Sequence, residues 1–107
     1  MLFRSREAVK LSPTNYATQF NLGMALHKMG DETGAIPEFQ KAIQLAPGQP
    51  SFHVSLGISL EKIGRLDEAI AQYRRYLEML PSAADAVQVK AHVDALAARQ
   101  AGERPSS

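Results

Sequence analysis

The sequence repeats itself at a spacing of 34 residues, and this period limits the folds that the chain can adopt. Residues 56–64, LGISLEKIG, repeat residues 22–30, LGMALHKMG. A fixed period of this length is typical of stacked helical units, because each unit buries its apolar face on the next one. The same spacing relates Ala35-Ile36 to Ala69-Ile70, Phe39 to Tyr73, and Pro13 to Pro47 and Pro81.

The order of the repeated residues, Leu-Gly followed by Ala, an aromatic residue and Pro, resembles the tetratricopeptide repeat (TPR) family. The resemblance covers residues 8–81. It implies an all-α fold, a right-handed α-solenoid of antiparallel helix pairs that forms a TPR-like superhelix. Three slots depart from the family pattern: Gln19 and His53 fill the bulky aromatic slot, Leu26 and Leu60 fill the Tyr-type slot, and Tyr76 stands where a small Ala is expected. The bulk of Tyr76 puts in doubt the standard close packing between its helix and the next.

The alignment of the repeats predicts one TPR-like domain over residues 1–100, followed by a disordered tail over residues 101–107. We expect a half repeat at 1–15, full repeats at 16–49 and 50–83, and a capping helix at 84–100. A short helix is predicted over residues 1–11, and the chain thus opens in the second half of a repeat. That phase favours a fragment of a longer array over a natural start. The half repeat is identified by the match of Ala8, Val9, Leu11 and Pro13 to Ala42, Ile43, Leu45 and Pro47.

Turn and cap residues set the expected helix limits. Gly30 and Gly64 suit the left-handed turn after a helix, and Asp31 is a predicted N-cap. Pro37 lacks an N–H donor, so its helix is expected to bend or to begin late, near Gly34. Ser82 is the predicted N-cap of the capping helix. Predicted helices cover residues 16–29, 32–45, 49–63 and 66–79, and the capping helix buries Ala86, Val89, Val93 and Leu96 on one face.

The helical spacing also predicts the core. In the first helix of each hairpin, one apolar face is expected to be buried. Gly23 and Gly57 are small where two helix axes approach closely, and Phe39 and Tyr73 are expected to wedge between the two helices of a hairpin. The predicted core faces consist of Leu22, Leu26 and Met29 in the first repeat and of Leu56, Leu60 and Ile63 in the second.

Composition and motifs narrow the chemistry. A net charge of +1 gives no electrostatic reason to expect nucleic acid as a partner, and the absence of cysteine excludes disulfides and thiolate metal sites. No apolar run is long enough to span a membrane, and the N-terminus does not read as a signal peptide, so a cytoplasmic location is expected. His53 is expected to be half-buried, and His27 and His92 to lie at the surface, without metal-ligand spacing. We therefore expect no catalysis, no cofactor and no metal site.

The family resemblance implies a concave groove, lined by the first helices of successive repeats, that takes an extended or helical peptide. The helical wheel places a face opposite the core stripe at Ala17, Phe20, Met24, His27 and Lys28, and at Ser51, Val54, Ile58, Glu61 and Lys62, with Asn21 and Ser55 at its edge. One more period projects it onto Asp85, Gln88, His92, Ala95 and Leu96.

Phe20, Met24, Val54 and Ile58 are predicted to form an exposed apolar patch on this face. The alternative is that neighbouring first helices pack there and hide these side chains. One TPR subclass grips C-terminal carboxylates with Lys, Asn and Arg. Asn21 matches one of those residues, but Phe20 and Val54 stand where cations are needed, so this clamp is not predicted.

The leading hypothesis is a non-enzymatic scaffold that binds a peptide or helix of a partner protein in the groove. A second is a self-assembly module, because Leu2, Phe3 and Val9 in the half repeat are left without their packing helix. A third is the regulatory part of a larger enzyme whose catalytic domain lies outside this chain.

Overall fold

A computed structural model describes residues 15–103, which form five helices. These are α1 (Tyr16–Lys28), α2 (Glu32–Leu45), α3 (Pro50–Lys62), α4 (Leu66–Met79) and α5 (Ala86–Glu103). Helices α1 and α2 form one hairpin, α3 and α4 form the next, and α5 packs against α4. No strand occurs between residues 15 and 103, and the predicted all-α solenoid of helix pairs is confirmed. The predicted helix over residues 1–11 and the last tail residues, 104–107, lie outside the described part.

Helix ends follow the predicted turn chemistry. Gly30 and Gly64 adopt φ angles of 84° and 85°, the left-handed conformation that a side chain disfavours. Asp31 Oδ1 accepts a hydrogen bond from the backbone N–H of Gly34 at 2.9 Å, which confirms the predicted N-cap. Because this cap secures the first turn, α2 begins at Glu32 and contains Pro37, so the predicted late start near Gly34 is wrong.

The last helix differs from its prediction at both ends. It begins at Ala86, after turns at residues 81–82 and 84–85, so Ser82 does not cap it. Asp85 is held instead by the hydroxyl of Tyr76, which donates to Asp85 Oδ1 at 2.6 Å. At the other end α5 continues to Glu103, so the prediction of disorder is wrong for residues 101–103. The run of good helix formers that precedes it, residues 95–101, carries the helix through Gly102, which is a poor helix former.

The core confirms the pairing of glycine with an aromatic ring in each hairpin. A Cβ built on Gly23 would lie 2.7 Å from Phe39 Cδ1, and one built on Gly57 would lie 2.8 Å from Tyr73 Cε1. Both distances are shorter than atoms tolerate, so only glycine lets the two helices approach across the ring. The predicted buried face of α5 is confirmed, with Ala86, Val93 and Leu96 buried and Val89 half-buried.

The predicted core stripe is correct at two of its three positions in the second repeat and less so in the first. Leu56 and Leu60 are buried, because α3 packs against both α2 and α4. Leu22, at the same repeat position as Leu56, is 47% exposed, since no helix of the described part precedes α1 and covers it. Met29 and Ile63 are also exposed, because each is the C-cap residue of its helix rather than part of a packed face.

Candidate functional site

The first helices of the repeats lie side by side in the order α1, α3, α5. The ring of Phe20 on α1 stacks against Phe52 on α3, with centroids 4.6 Å apart. On the other side of α3, His92 Nε2 on α5 lies 2.8 Å from Glu61 Oε1. These two contacts place α3 at the centre of the face on which the sequence predicted a groove.

An open groove of about 320 Å³ lies between α3 and α5. It brings together three predicted groove residues of α3 with residues that the repeat period projected onto the next unit. Its apolar part includes Ile58, which is 36% exposed, and the half-buried Val54 and Val89. The groove is lined by Val54, Ile58, Glu61, Tyr73, Asp85, Gln88, Val89 and His92. Leu96, which was also projected onto this face, is buried in the core instead.

One wall of the groove is fixed by a shared carboxylate. Tyr73 donates its hydroxyl hydrogen bond to Glu61 Oε1 at 2.9 Å, and His92 Nε2 contacts the same oxygen. The rings of Tyr73 and His92 meet edge to face with centroids 5.4 Å apart. Burial opposes ionisation of Glu61, but the hydrogen bonds from His92 and Tyr73 and the charges of His92 and Arg99 outweigh it and lower the pKa of Glu61. Glu61 is therefore an ionised, positioned carboxylate at neutral pH.

The hydrogen bond from Tyr73 to Glu61 also changes the pKa of Tyr73. Burial and the neighbouring Glu61 carboxylate raise the pKa of Tyr73 far above its usual range, so the phenol stays protonated and keeps donating. Because the Tyr73 ring also lies against Gly57, the groove wall is continuous with a close helix–helix contact of the core.

Tyr76 stands at a repeat position where the family pattern has a small residue, and its contacts explain why a larger side chain fits there. Its side chain is buried, and its hydroxyl reaches the turn before α5 to bond Asp85. The hydrogen bond to Asp85 raises the pKa of Tyr76. The larger side chain therefore ties α4 to the entry of α5, and it places Asp85 at the edge of the groove.

The predicted anchor residues on α1, Phe20 and Met24, are less exposed than predicted. Phe20 was predicted to be an exposed anchor, but it is half-buried between Phe52 and Phe39, 5.6 Å from the latter. Met24 is likewise packed against the core. Aromatic rings attract one another beyond their area burial, which explains why neighbouring helices close over Phe20. The predicted exposed patch of four residues is therefore wrong at Phe20 and Met24, and only partly correct at Val54, which is half-buried against the core but lines the groove between α3 and α5. Five other residues predicted to line the groove are exposed but do not line the groove between α3 and α5: Ala17, Asn21, Lys28, Ser51 and Lys62.

An ion pair between His27 and Glu32 joins the end of α1 to the start of α2. His27 Nδ1 lies 2.8 Å from Glu32 Oε1, and both side chains are mostly buried, so the predicted surface position of His27 is wrong. Burial opposes ionisation of Glu32, but the hydrogen bond from His27 and the charges of His27 and Lys62 lower the pKa of Glu32. The pair is a local tie between helices rather than a ligand site.

His53 is buried more deeply than predicted, at 6% exposure, and its Nδ1 lies 2.8 Å from Gln72 Oε1 on α4. This contact joins the two helices of the second hairpin. Among residues 15–103 no three His, Asp or Glu side chains come together as a metal site would require. None of the helices in this range is both long and apolar enough to cross a bilayer.

A second groove, of about 530 Å³, lies between α4 and α5 and was not predicted from the sequence. Its apolar surface includes Leu77, Val93 and the side chain of Val87, which is 78% exposed. The signal that could have revealed it is the repeat period itself, because Val87 stands 34 residues after the buried His53.

Comparisons with known proteins show which family this chain belongs to and which fold it shares. A search of curated proteins finds no significant match. Among solved structures, the type III secretion translocator chaperone SycD of Yersinia enterocolitica is similar, with 17% sequence identity and a TM-score of 0.77. The match covers 89% of this chain and 68% of that one, and it shows a shared fold. The profile of the tetratricopeptide repeat family matches residues 26–93, and the chain therefore belongs to the tetratricopeptide repeat family.

Proposed function

We propose that this chain is a non-enzymatic protein-interaction scaffold that binds an apolar or amphipathic segment of a partner protein in the groove between α3 and α5. The family and the fold are those of protein-interaction scaffolds. The observation that carries the proposal is the open groove itself, in which Val54, Ile58 and Val89 present apolar surface beside the polar wall of Glu61 and His92. Binding sites of this kind combine apolar area with a few positioned polar groups.

The groove favours an apolar anchor over a charged one. The Glu61 carboxylate is already shared by Tyr73 and His92, so a ligand cation would have to compete with both donors. Ile58 has no such commitment, and its exposed side chain is free to contact a partner. Lys62 is exposed at the end of the same helix, where a rim charge tunes rate and selectivity rather than affinity.

A random-peptide phage selection on the full chain tests this proposal. The selection is repeated on Ile58→Asp, which places a charge in the groove, and on Val87→Asp, which places the same charge in the groove between α4 and α5. We expect peptides with apolar anchors that bind the parent and Val87→Asp but not Ile58→Asp. Peptides that bind all three chains equally, or a selection that yields no specific peptide, would count against a binding site between α3 and α5.

A further inference from the structure

We propose that the groove between α4 and α5 binds residues 1–11 of a second copy of this chain as a helix. This surface is separate from the peptide groove, so the proposal does not depend on the proposed function. Its apolar lining consists of Leu77, Pro81, Ala86, Val87 and Val93, and its charged lining consists of Arg74, Glu78, Lys90 and Asp94.

The preceding repeat indicates what kind of element covers such a groove. One period earlier, the residues that align with the α5 side of the groove lie on α3 and are buried, because α4 packs over α3. His53 aligns with Val87 and contacts Gln72 of α4, and Gly57 aligns with Ala91 and faces Tyr73 of α4. The position that α4 occupies against α3 is therefore the position that the groove leaves open against α5. The buried residues are Phe52, His53, Leu56, Ser59 and Leu60.

The residue at position 91 restricts the occupant. In both hairpins a glycine lies under an aromatic ring, Gly23 under Phe39 and Gly57 under Tyr73. The aligned residue of α5 is Ala91, whose methyl group stands where those rings leave no room. A helix that packs here in the same way must therefore carry a small residue at the aromatic position.

Residues 1–11 meet that requirement. Their alignment with α2 and α4 rests on the repeat of Ala8, Val9 and Pro13 at Ala42, Ile43 and Pro47. In the same register Ser5 aligns with Phe39 and Tyr73, so the segment has a small residue at the position where Ala91 excludes a ring. Leu2 aligns with Ile36 and Ile70, and Val9 aligns with Ile43 and Leu77, which keeps the apolar stripe of a second hairpin helix.

The segment must come from another copy because it cannot reach the groove within its own chain. It joins α1 through residues 12–15, and the five Cα–Cα steps from residue 11 to Tyr16 span at most about 18 Å. In the register of α4 against α3, residue 11 aligns with Met79, which precedes the next first helix, so it would lie about one helix spacing beyond α5. Helix α3 lies between α1 and α5, and packed helix axes are about 8–10 Å apart, so that point lies three such spacings, ~24–30 Å, from α1. A segment of one copy in the groove of the next is a head-to-tail contact, which extends into larger species unless it closes into a ring.

Sedimentation equilibrium of the full chain tests the proposal. We expect the parent to show a mass that rises with concentration, while Val87→Asp and Val9→Asp stay monomeric and Ile58→Asp, the matched control, associates like the parent. A parent chain that remains monomeric at high concentration overturns the proposal, as does a Val87→Asp chain that associates like the parent.

A mixing experiment distinguishes a variant that has lost the contact from a variant that fails to fold. Val87→Asp keeps an intact segment and Val9→Asp keeps an intact groove, so an equimolar mixture should form a one-to-one dimer that does not grow further. The proposed contact is contradicted if the two variants remain monomers in the mixture although each has a helical circular dichroism spectrum like that of the parent.

Discussion

Gly57 lies directly against the ring of Tyr73, so that a Cβ at position 57 would come within 2.8 Å of Tyr73 Cε1. The ring cannot swing away freely, because its hydroxyl is bonded to Glu61 and its side chain is buried. The same relationship joins Gly23 to Phe39 one repeat earlier. Close packing of each hairpin therefore depends on one glycine.

Replacement of that glycine should destabilise the fold. Gly57→Leu forces side-chain volume into a packed layer, and we expect a loss of about 1–3 kcal/mol in the free energy of unfolding from urea melts. Gly102→Leu is the matched control, because no atom lies within 4 Å of its Cβ position and Leu is the better helix former. A Gly57→Leu chain as stable as the parent would mean that the helices are not in close contact there.

Phe20 should behave as a core residue. Its ring packs between Phe39 and Phe52, so Phe20→Ala is expected to cost about 2–4 kcal/mol in the free energy of unfolding. Asn21→Ala, one residue along the same helix and exposed, should leave stability close to that of the parent. Equal melting temperatures for Phe20→Ala and the parent would show that Phe20 does not pack in the core and is an exposed contact residue, as the sequence predicted.

Two leucines at the same repeat position should differ in their contribution. Leu56 is 3% exposed and Leu22 is 47% exposed, so Leu56→Ala should cost about 2–5 kcal/mol and Leu22→Ala less than about 1 kcal/mol. Thermal unfolding of the two variants side by side makes the comparison. Similar losses for both would show that Leu22 is covered in solution.

Stability should fall in acid as the carboxyls of Glu61 and Glu32 are protonated. Folding lowers the pKa of both groups from the ordinary value of 4.5, so the ionised forms stabilise the fold above that pH, and the contribution is lost as the pH falls through the folded pKa. Glu61→Gln is expected to cost about 1 kcal/mol at neutral pH.

Urea melts from neutral pH down to below 4.5 measure this effect. The difference between the parent and Glu61→Gln should shrink as the pH falls. Glu78→Gln is the control, because the exposed pair of Glu78 with Arg75 contributes little. A difference that stays constant across the range would show that Glu61 is not held ionised by His92 and Tyr73.

The repeat period predicted most of the fold because stacking imposes the same contacts on every unit. Gly57, Tyr73 and the helix limits around Gly64 could all be read from one unit onto the next. The period is a poorer guide at the two ends of the described stack, where no described helix covers Leu22 or the outer side of Val87. Burial there depends on which neighbours are present, and the sequence of one unit does not encode that.

The site was predicted less well, for a related reason. A helical wheel separates the faces of one helix but does not say how closely the next helix approaches. Val54, Ile58 and Glu61 do line a groove with residues of α5. Phe20 does not, because the Phe52 ring from the next unit reaches it, and the wheel of α1 contains no information on Phe52.

The affinity of a selected peptide for matched groove variants is the most direct measurement of peptide binding between α3 and α5. Isothermal titration calorimetry would compare the parent, Ile58→Asp and Val87→Asp with one peptide obtained by selection on the parent. We expect a dissociation constant at least about tenfold weaker for Ile58→Asp, as for the loss of an apolar anchor, and one close to that of the parent for Val87→Asp. Equal affinity for the parent and Ile58→Asp, or a selective loss in Val87→Asp, would place peptide binding on another surface.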